Sequence, residues 1–183
     1  MDADEAALLE RARGGDGRAF EELLTPHRAK LWSICWRITG NQYDAEDALQ
    51  EALTAAWLHL GSFRSDARFS TWAYRIASNA ALAVVRKRRD IPVDDFPDLG
   101  EPSGVDFAEV IADRDRIQTA LAGIPEQFRE ALVLREYGTL TYEQIAEHQG
   151  IPVQTVKSRL SRARAAVAAA LSDTSAEPDR MLP

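Results

Sequence analysis

Cysteine is almost absent from this chain, and the single residue of that type, Cys35, lies in the apolar segment LWSICWRI. A lone cysteine excludes an internal disulfide, and no cysteines and histidines are spaced as zinc ligands are. The apolar neighbours indicate that Cys35 is a small buried side chain rather than a reactive thiol. We therefore expect no metal site.

Long hydrophobic runs are also missing. No stretch approaches the roughly eighteen apolar residues that a membrane-spanning helix needs. The N-terminus is acidic, whereas a secretory signal peptide starts with basic residues. The sequence also has no glycine-rich phosphate-binding loop and no nucleophile beside a base. These absences predict a cytoplasmic protein without membrane insertion, cofactor or catalytic residues, and thus not an enzyme.

Charge is distributed unevenly along the chain. The 183 residues carry a formal net charge of −7, which taken alone argues against nucleic acid as a partner. From residue 90 to residue 110, however, there are seven acids, several prolines and glycines, and no base. This composition predicts an extended acidic linker and a domain boundary. Much of the negative charge is therefore confined to the linker.

Elsewhere apolar residues recur at helical spacing, with Pro26 interrupting one of the helices. We therefore predict an all-α protein with two small helical domains joined by a flexible acidic linker. The first domain covers residues 1–89, the linker 90–111 and the second domain 112–172, followed by a tail at 173–183. The second domain ends in a helix-turn-helix.

The helix-turn-helix spans residues 141–166. Thr141 followed by Gln144 is a capping-box pattern that predicts a helix start. Gly150 permits a sharp reversal, and Pro152 can begin the next helix. One face of that second helix is an apolar stripe. The stripe consists of Val156, Leu160, Ala163 and Val167.

The opposite face of this helix is basic and amide-bearing, with no acid. It carries Gln154, Thr155, Lys157, Ser158, Arg159, Arg162 and Arg164. Such a face is usually a solvated surface. Here it coincides with a cap and a turn glycine, a combination that favours a recognition helix in the major groove of DNA.

Residues 43–60 form a second clear helical pattern, with an acidic ridge on one face. Its inner, apolar stripe is expected to consist of Ala45, Ala48, Leu49, Ala52, Leu53, Ala56, Trp57 and Leu60. The ridge consists of Asp44, Asp47, Gln50 and Glu51. Two interpretations are equally consistent with its charge. It is either a solvated face with acids placed favourably near a helix N-terminus, or a docking ridge for a basic partner helix.

The loop at 61–68 and the helix at 69–89 combine bases with aromatic residues. The bases are Arg64, Arg68, Arg75, Arg86, Lys87, Arg88 and Arg89, and the aromatics are Phe63, Phe69, Trp72 and Tyr74. Basic side chains can follow the phosphate backbone, and aromatic rings can hold unstacked nucleobases. This combination suits single-stranded DNA or a duplex being opened. Phe69 and Trp72 also fit a plain core role, which we favour for both.

Three blocks with their order and spacing resemble the extracytoplasmic-function (ECF) sigma factors, a class of bacterial RNA polymerase initiation factors. The blocks are DAEDALQEALTAAW (44–57), FSTWAYRIASNAALAVVRKRR (69–89) and IPEQFREALVLREYGTLTYEQIAEHQGIPVQTVKSRLSRARAAV (124–167). Pro152 departs from the pattern, because a small polar cap is commoner at that position.

This resemblance implies roles for the first domain, which is similar to sigma region two. The ridge of Asp44, Asp47, Gln50 and Glu51 would dock on the coiled coil of the β′ clamp of core RNA polymerase. The loop with Phe63 and Arg64, and the face with Arg75 and Asn79, would hold a flipped base of the −10 element. Arg86, Lys87, Arg88 and Arg89 would contact the DNA backbone.

The second domain is similar to sigma region four. Its recognition helix would read the −35 element of promoter DNA, and its outer surface would meet the β flap. The likeness also implies an anti-sigma factor as a regulatory partner. An alternative is a regulator that binds an operator through the helix-turn-helix without joining polymerase, and a third possibility is a helical adaptor without a DNA role.

Overall fold

A computed structural model of the chain describes residues 3–64, 67–90 and 108–175. Within these ranges the regular structure is α-helix with two short 3-10 turns and no strand, which confirms the all-α prediction. Most of the predicted linker and the end of the predicted tail lie outside the described residues. No helix in the described ranges has the length and apolar character needed to cross a bilayer.

The first domain contains five α-helices, separated by short turns. They are α1 (Ala3–Arg13), α2 (Gly17–Leu24), α3 (Arg28–Thr39), α4 (Gln42–His59) and α5 (Phe69–Asp90). A 3-10 turn at Thr25–His27 separates α2 from α3. Pro26 lies in this turn, and its lack of an N–H explains why the helical pattern breaks there.

The second domain contains four α-helices. They are α6 (Ala108–Ala122), α7 (Glu126–Glu136), α8 (Tyr142–Gln149) and α9 (Val153–Ser175). α6 begins at Ala108, inside the predicted linker at 90–111, and α9 extends to Ser175, inside the predicted tail at 173–183.

The core of the first domain forms where α3, α4 and α5 pack together. α4 presents Ala45, Ala48, Ala52 and Ala56 to this core, each at most 3% exposed, and these small side chains let the neighbouring helices approach closely. The sequence pattern also assigned Trp57 to this inner stripe, and that assignment is wrong. Trp57 is 36% exposed and packs its ring edge-on against Phe20, with centroids 5.1 Å apart, because it lies one helical position beyond the stripe.

The core of the second domain forms between α7 and α9. Val156, Leu160 and Ala163 are at most 1% exposed, which confirms the predicted stripe, and Val167 is partly buried at its end. On α7 the buried partners include Val133. This packing holds the opposite, polar face of α9 outward.

The two domains pack against each other through α3 and α5 on one side and α6 and α7 on the other. Arg129 of α7 donates to the carbonyl of Ile38 at 2.9 Å. Gln118 of α6 donates to the carbonyl of Trp36 at 3.4 Å, and the guanidinium of Arg37 lies 5.3 Å from the ring centroid of Tyr137. Buried residues of both domains form one continuous cluster. We refer to this arrangement as the closed arrangement.

Cys35 is fully buried in the first domain, which confirms the interpretation of the sequence. Its sulfur lies 3.9 Å from the carbonyl oxygen of Ala77. Burial in these apolar surroundings raises the pKa of the thiol to about 12. The thiolate, which is the reactive form, is therefore scarce at neutral pH.

We expect Cys35 in the native protein to resist a thiol reagent such as DTNB at pH 8, because both access and ionisation are suppressed. The same protein in guanidinium should react within minutes. Absorbance of the released thiolate measures both rates, and rapid stoichiometric labelling of the folded chain would contradict this burial.

Candidate nucleic-acid interface

The helix-turn-helix begins with the predicted capping box. The Thr141 hydroxyl accepts from the backbone N–H of Gln144 at 3.2 Å, and the Gln144 side chain accepts from the N–H of Thr141 at 2.9 Å. Both bonds satisfy N–H groups that the first turn of α8 leaves free. This prediction from the sequence is confirmed.

The turn between α8 and α9 depends on a left-handed residue. Gly150 has φ +65°, and its N–H donates to the carbonyls of Ala146 and Glu147. The N–H of Ile151 donates to Ala146 at 3.0 Å, which completes a Schellman-type ending. Pro152 directly precedes α9, and its carbonyl accepts hydrogen bonds from backbone N–H groups of the first turn of that helix. The helix can therefore begin after a proline although no side chain caps it.

The polar face of α9 contains all six predicted −35 residues, but their exposure differs. Gln154, Lys157, Ser158 and Arg162 are exposed, while Thr155 and Arg159 are half-buried. This face begins at the N-terminus of α9 and carries basic and amide side chains. Such groups can bind DNA phosphates and the base edges in the grooves.

α5, which carries the predicted −10 residues, points part of its basic face at the second domain. Arg75 is 20% exposed, forms an ion pair with Glu147 of α8 and donates to the carbonyl of Gln144 at 2.9 Å. Arg86 and Arg89 both form ion pairs with Glu126 of α7. The closed arrangement thus brings acids of the second domain to the bases that the sequence analysis assigned to DNA.

The remaining predicted −10 residues have varied environments. Arg64, Asn79 and Lys87 are exposed. Arg88 donates to Asp44 at 3.2 Å. Phe63 is only 4% exposed.

The ring of Phe63 packs against Trp72 and Phe69, with centroids 5.3 and 5.9 Å away, while Phe69 itself is fully buried. In this arrangement the aromatic cluster forms part of the core, so the Phe63 ring reaches a base only if the loop after α4 moves.

Glu130 of α7 is a buried acidic residue that the sequence analysis did not single out. It is 6% exposed and bonds three side chains. Its Oε1 accepts from the Ser78 hydroxyl of α5 at 2.9 Å and lies 2.8 Å from Nε2 of His148, while its Oε2 accepts from Gln149 at 2.7 Å. The available signal was the i, i+4 spacing of Glu126 and Glu130, which puts two acids on one face of α7.

The pKa of Glu130 reflects two opposing influences. Burial raises it, while the hydrogen bonds from His148, Gln149 and Ser78 and the charge of His148 lower it, and the result lies below the ordinary value. Glu130 is therefore a buried carboxylate whose ionised form is held by its partners.

The acidic ridge lies on α4. Asp47, Gln50 and Glu51 are exposed, whereas Asp44 is 25% exposed and accepts from Asn41 and Arg88. Tyr43 and Leu58, near the two ends of α4, are both 71% exposed.

Comparison with protein families matches both domains. Residues 23–91 match the model for sigma-70 region 2, and residues 114–167 match the model for sigma-70 region 4. The chain is 30% identical to the ECF RNA polymerase sigma factor SigW of Bacillus subtilis, covering 90% of this chain and 95% of SigW.

The chain belongs to the ECF sigma factors.

Other relatives agree with this assignment. The chain is 38% identical to the RNA polymerase sigma-H factor of Pseudomonas aeruginosa, over 90% of this chain and 92% of that protein. A solved structure of CnrH in complex with the cytosolic domain of CnrY matches at 27% identity with a TM-score of 0.70, covering 94% of this chain and 99% of CnrH. RpoE of Bartonella quintana, solved with the anti-sigma factor NepR, shares the fold with a TM-score of 0.66 at 24% identity, over 84% of this chain and 96% of RpoE.

As a sigma factor, this protein binds core RNA polymerase and promoter DNA and directs transcription initiation. The family consists of initiation factors rather than enzymes. The family boundaries agree with the two domains of the fold: region 2 contains α3, α4 and α5, and region 4 contains α7 and α8 together with most of α9.

We expect Glu130→Gln to lower the stability of the sigma factor at pH 7 by about 1–3 kcal/mol, because an amide cannot accept all three hydrogen bonds. The folded-state pKa of Glu130 is depressed, so its contribution is complete above the ordinary value of 4.5 and is lost as pH falls through the folded value. Thermal melts of wild type and variant between pH 7 and pH 3 measure this. Their difference should shrink with acid, and a constant difference would contradict the assignment.

Proposed function

We propose that this sigma factor reads the −35 element with α9, holds the −10 element with α5 and the loop before it, and docks on polymerase through α4. The exposed polar side chains of α9 carry the first part of this proposal. In it, Gln154, Lys157, Ser158 and Arg162 face the major groove, and Thr155 and Arg159 lie at the edge of the contact.

The ridge of Asp47, Gln50 and Glu51 is the proposed contact with the coiled coil of the β′ clamp, with Asp44 at its border. Its exposure and its negative charge support this role, since a basic helix would find complementary charge there. The outer surface of the second domain would meet the β flap.

Contact with both promoter elements requires the domains to separate. Asn79 and Arg86 of α5 and Arg159 of α9 line one cleft of about 540 Å³ in the closed arrangement. The centres of the −35 and −10 elements lie about 25 base pairs apart, or roughly 85 Å at 3.4 Å per pair. One cleft cannot serve two elements at that distance. We therefore propose that the closed arrangement is the free form and that polymerase binding opens it.

The ion pairs between the domains oppose opening only weakly, whereas the buried cluster that the domains share opposes it more strongly. The ion pairs of Arg75, Arg86 and Arg89 have exposed members, and such pairs contribute only about 0–1 kcal/mol each. A specific protein interface buries about 1,600 Å² and can outweigh these contacts. Once freed, the same arginines become available to DNA phosphates.

We further propose that the protein acts in the cytoplasm and that an anti-sigma factor controls it. The proposed domain limits are 1–89 and 112–172, with the acidic segment at 90–111 threading through polymerase and the tail at 173–183. The likeness in fold to sigma factors whose structures contain a bound protein supports the regulatory part of this proposal.

The central test is transcription in a purified system. Mixing the protein with core RNA polymerase and supercoiled promoter DNA should give RNA with a defined 5′ end, whereas core polymerase alone should not. Primer extension identifies the start. Binding of the free protein to a promoter-sized operator, without any effect on polymerase, would instead indicate an ordinary helix-turn-helix regulator.

A second test concerns the closed arrangement. Glu126→Gln combined with Glu147→Gln should increase binding of the free protein to a single-stranded −10 oligonucleotide about two- to tenfold, because three ion pairs of modest strength are lost. Fluorescence anisotropy measures the affinity.

The matched control is Glu136→Gln with Glu143→Gln, which removes the same charge from the same domain outside the interface. Equal affinity gains in both double variants would mean that charge alone is responsible and would refute the masking of α5.

A further inference from the structure

Arg159 differs from the other basic residues that are predicted to read the −35 element. Lys157 and Arg162 are exposed, whereas Arg159 is half-buried at the edge of the core. Its Nη1 donates to Oε1 of Gln149 at 2.9 Å. Its guanidinium also lies 5.9 Å from the ring centroid of Phe128 on α7. Arg159 therefore touches both other helices of the motif's core.

Gln149 is held from its other end as well. Its Nε2 donates to Oε2 of Glu130 at 2.7 Å and to the backbone carbonyl of Gln127 at 3.0 Å. These two bonds orient the amide so that Oε1 faces Arg159. A chain of hydrogen bonds thus runs from the buried Glu130 on α7, through Gln149 at the end of α8, to Arg159 on α9.

This chain of hydrogen bonds disfavours direct base reading by Arg159. An arginine that recognises guanine uses two donors at once, with its guanidinium edge free in the groove. In Arg159, Nη1 is committed to Gln149 and the half-buried guanidinium lies near the Phe128 ring, so Arg159 has fewer donors free for a base than the exposed Arg162. The same contacts suit a brace, that is, a set of hydrogen bonds that ties α9 to α8 and α7 in addition to the turn around Gly150 and the apolar packing.

We propose that Arg159 is a positioning residue, which with Gln149 and Glu130 fixes the direction of α9 against α7 and α8. Reading of bases then falls to the exposed residues Gln154, Lys157, Ser158 and Arg162. This inference rests on the proposed function of α9 and deepens it. In this proposal Arg159 does not read DNA bases itself. It supports the DNA contacts that its neighbours on α9 make.

The brace is independent of domain opening. Among the described residues, the hydrogen bond from the first domain to Glu130 comes from the Ser78 hydroxyl, which bonds Oε1, whereas Gln149 bonds Oε2. Loss of Ser78 on separation of the domains leaves the bond to Gln149 in place. The recognition helix therefore keeps its direction in both the closed and the open form.

The experiment compares holoenzymes made with wild type, Arg159→Ala, Gln149→Ala and the double variant. Arg162→Ala is the matched control, because it removes an exposed arginine from the same helix. Initiation is measured on promoters with a randomised −35 element and on a pre-melted template that has a −10 element but no −35 element.

We expect Arg159→Ala and Gln149→Ala each to reduce initiation by about tenfold on −35 promoters, the size of one lost hydrogen bond to a charged group. The order of preference among −35 sequences should stay the same. The double variant should match the worse single variant within about a factor of two, since both act through one chain. Arg162→Ala should instead change the preferred sequence.

On the template without a −35 element all variants should equal wild type, a result that a general folding or polymerase-binding defect would not give. Relaxed preference at one base pair in Arg159→Ala but not in Gln149→Ala would make Arg159 a base reader and overturn the proposal. Equal losses on both templates, or no loss on either, would also overturn it. Failure of wild type on every template would instead refute the proposed sigma activity of this chain.

Discussion

Burial of the Glu130 carboxylate is the constraint to which much of the second domain responds. A charge removed from water must find partners, and here α5, α8 and, through Gln149, α9 all contribute to its environment. Apolar packing of α7 against α9 sets the distance between these helices, but such packing tolerates small rotations. Directional bonds to one buried group remove that freedom. The recognition surface is thereby built on a polar centre as well as on a hydrophobic core.

An acidic protein can bind DNA when its charges are arranged in this way. Acids are concentrated between residues 90 and 110 and on α4, while bases are concentrated on α5 and α9. In the closed arrangement Glu126 and Glu147 neutralise part of the basic surface of α5. Exposed ion pairs are weak and are screened by salt. The arginines of α5 can therefore leave these carboxylates and pair with DNA phosphates instead. Net charge therefore says little about this partner choice.

Local features were the most predictable from the sequence, because they depend on neighbours in the chain. The cap at Thr141, the turn at Gly150 and the buried stripe beginning at Val156 each need only a few adjacent residues. The packing of the domains depends on contacts such as Ser78 with Glu130, which are 52 residues apart, and no periodicity encodes them. Trp57 and Arg159 fall at the border of a stripe, where a shift of one helical position separates core from surface. Their environments required coordinates.

The burial of Cys35 limits how this sigma factor can respond to oxidants. Its thiol is enclosed by the first domain and stays protonated across the physiological range. An oxidant therefore finds no accessible thiol on the folded chain. The sequence also has no second cysteine with which Cys35 could form a disulfide. Any thiol-based response of this sigma factor would therefore have to begin at a cysteine outside the folded chain.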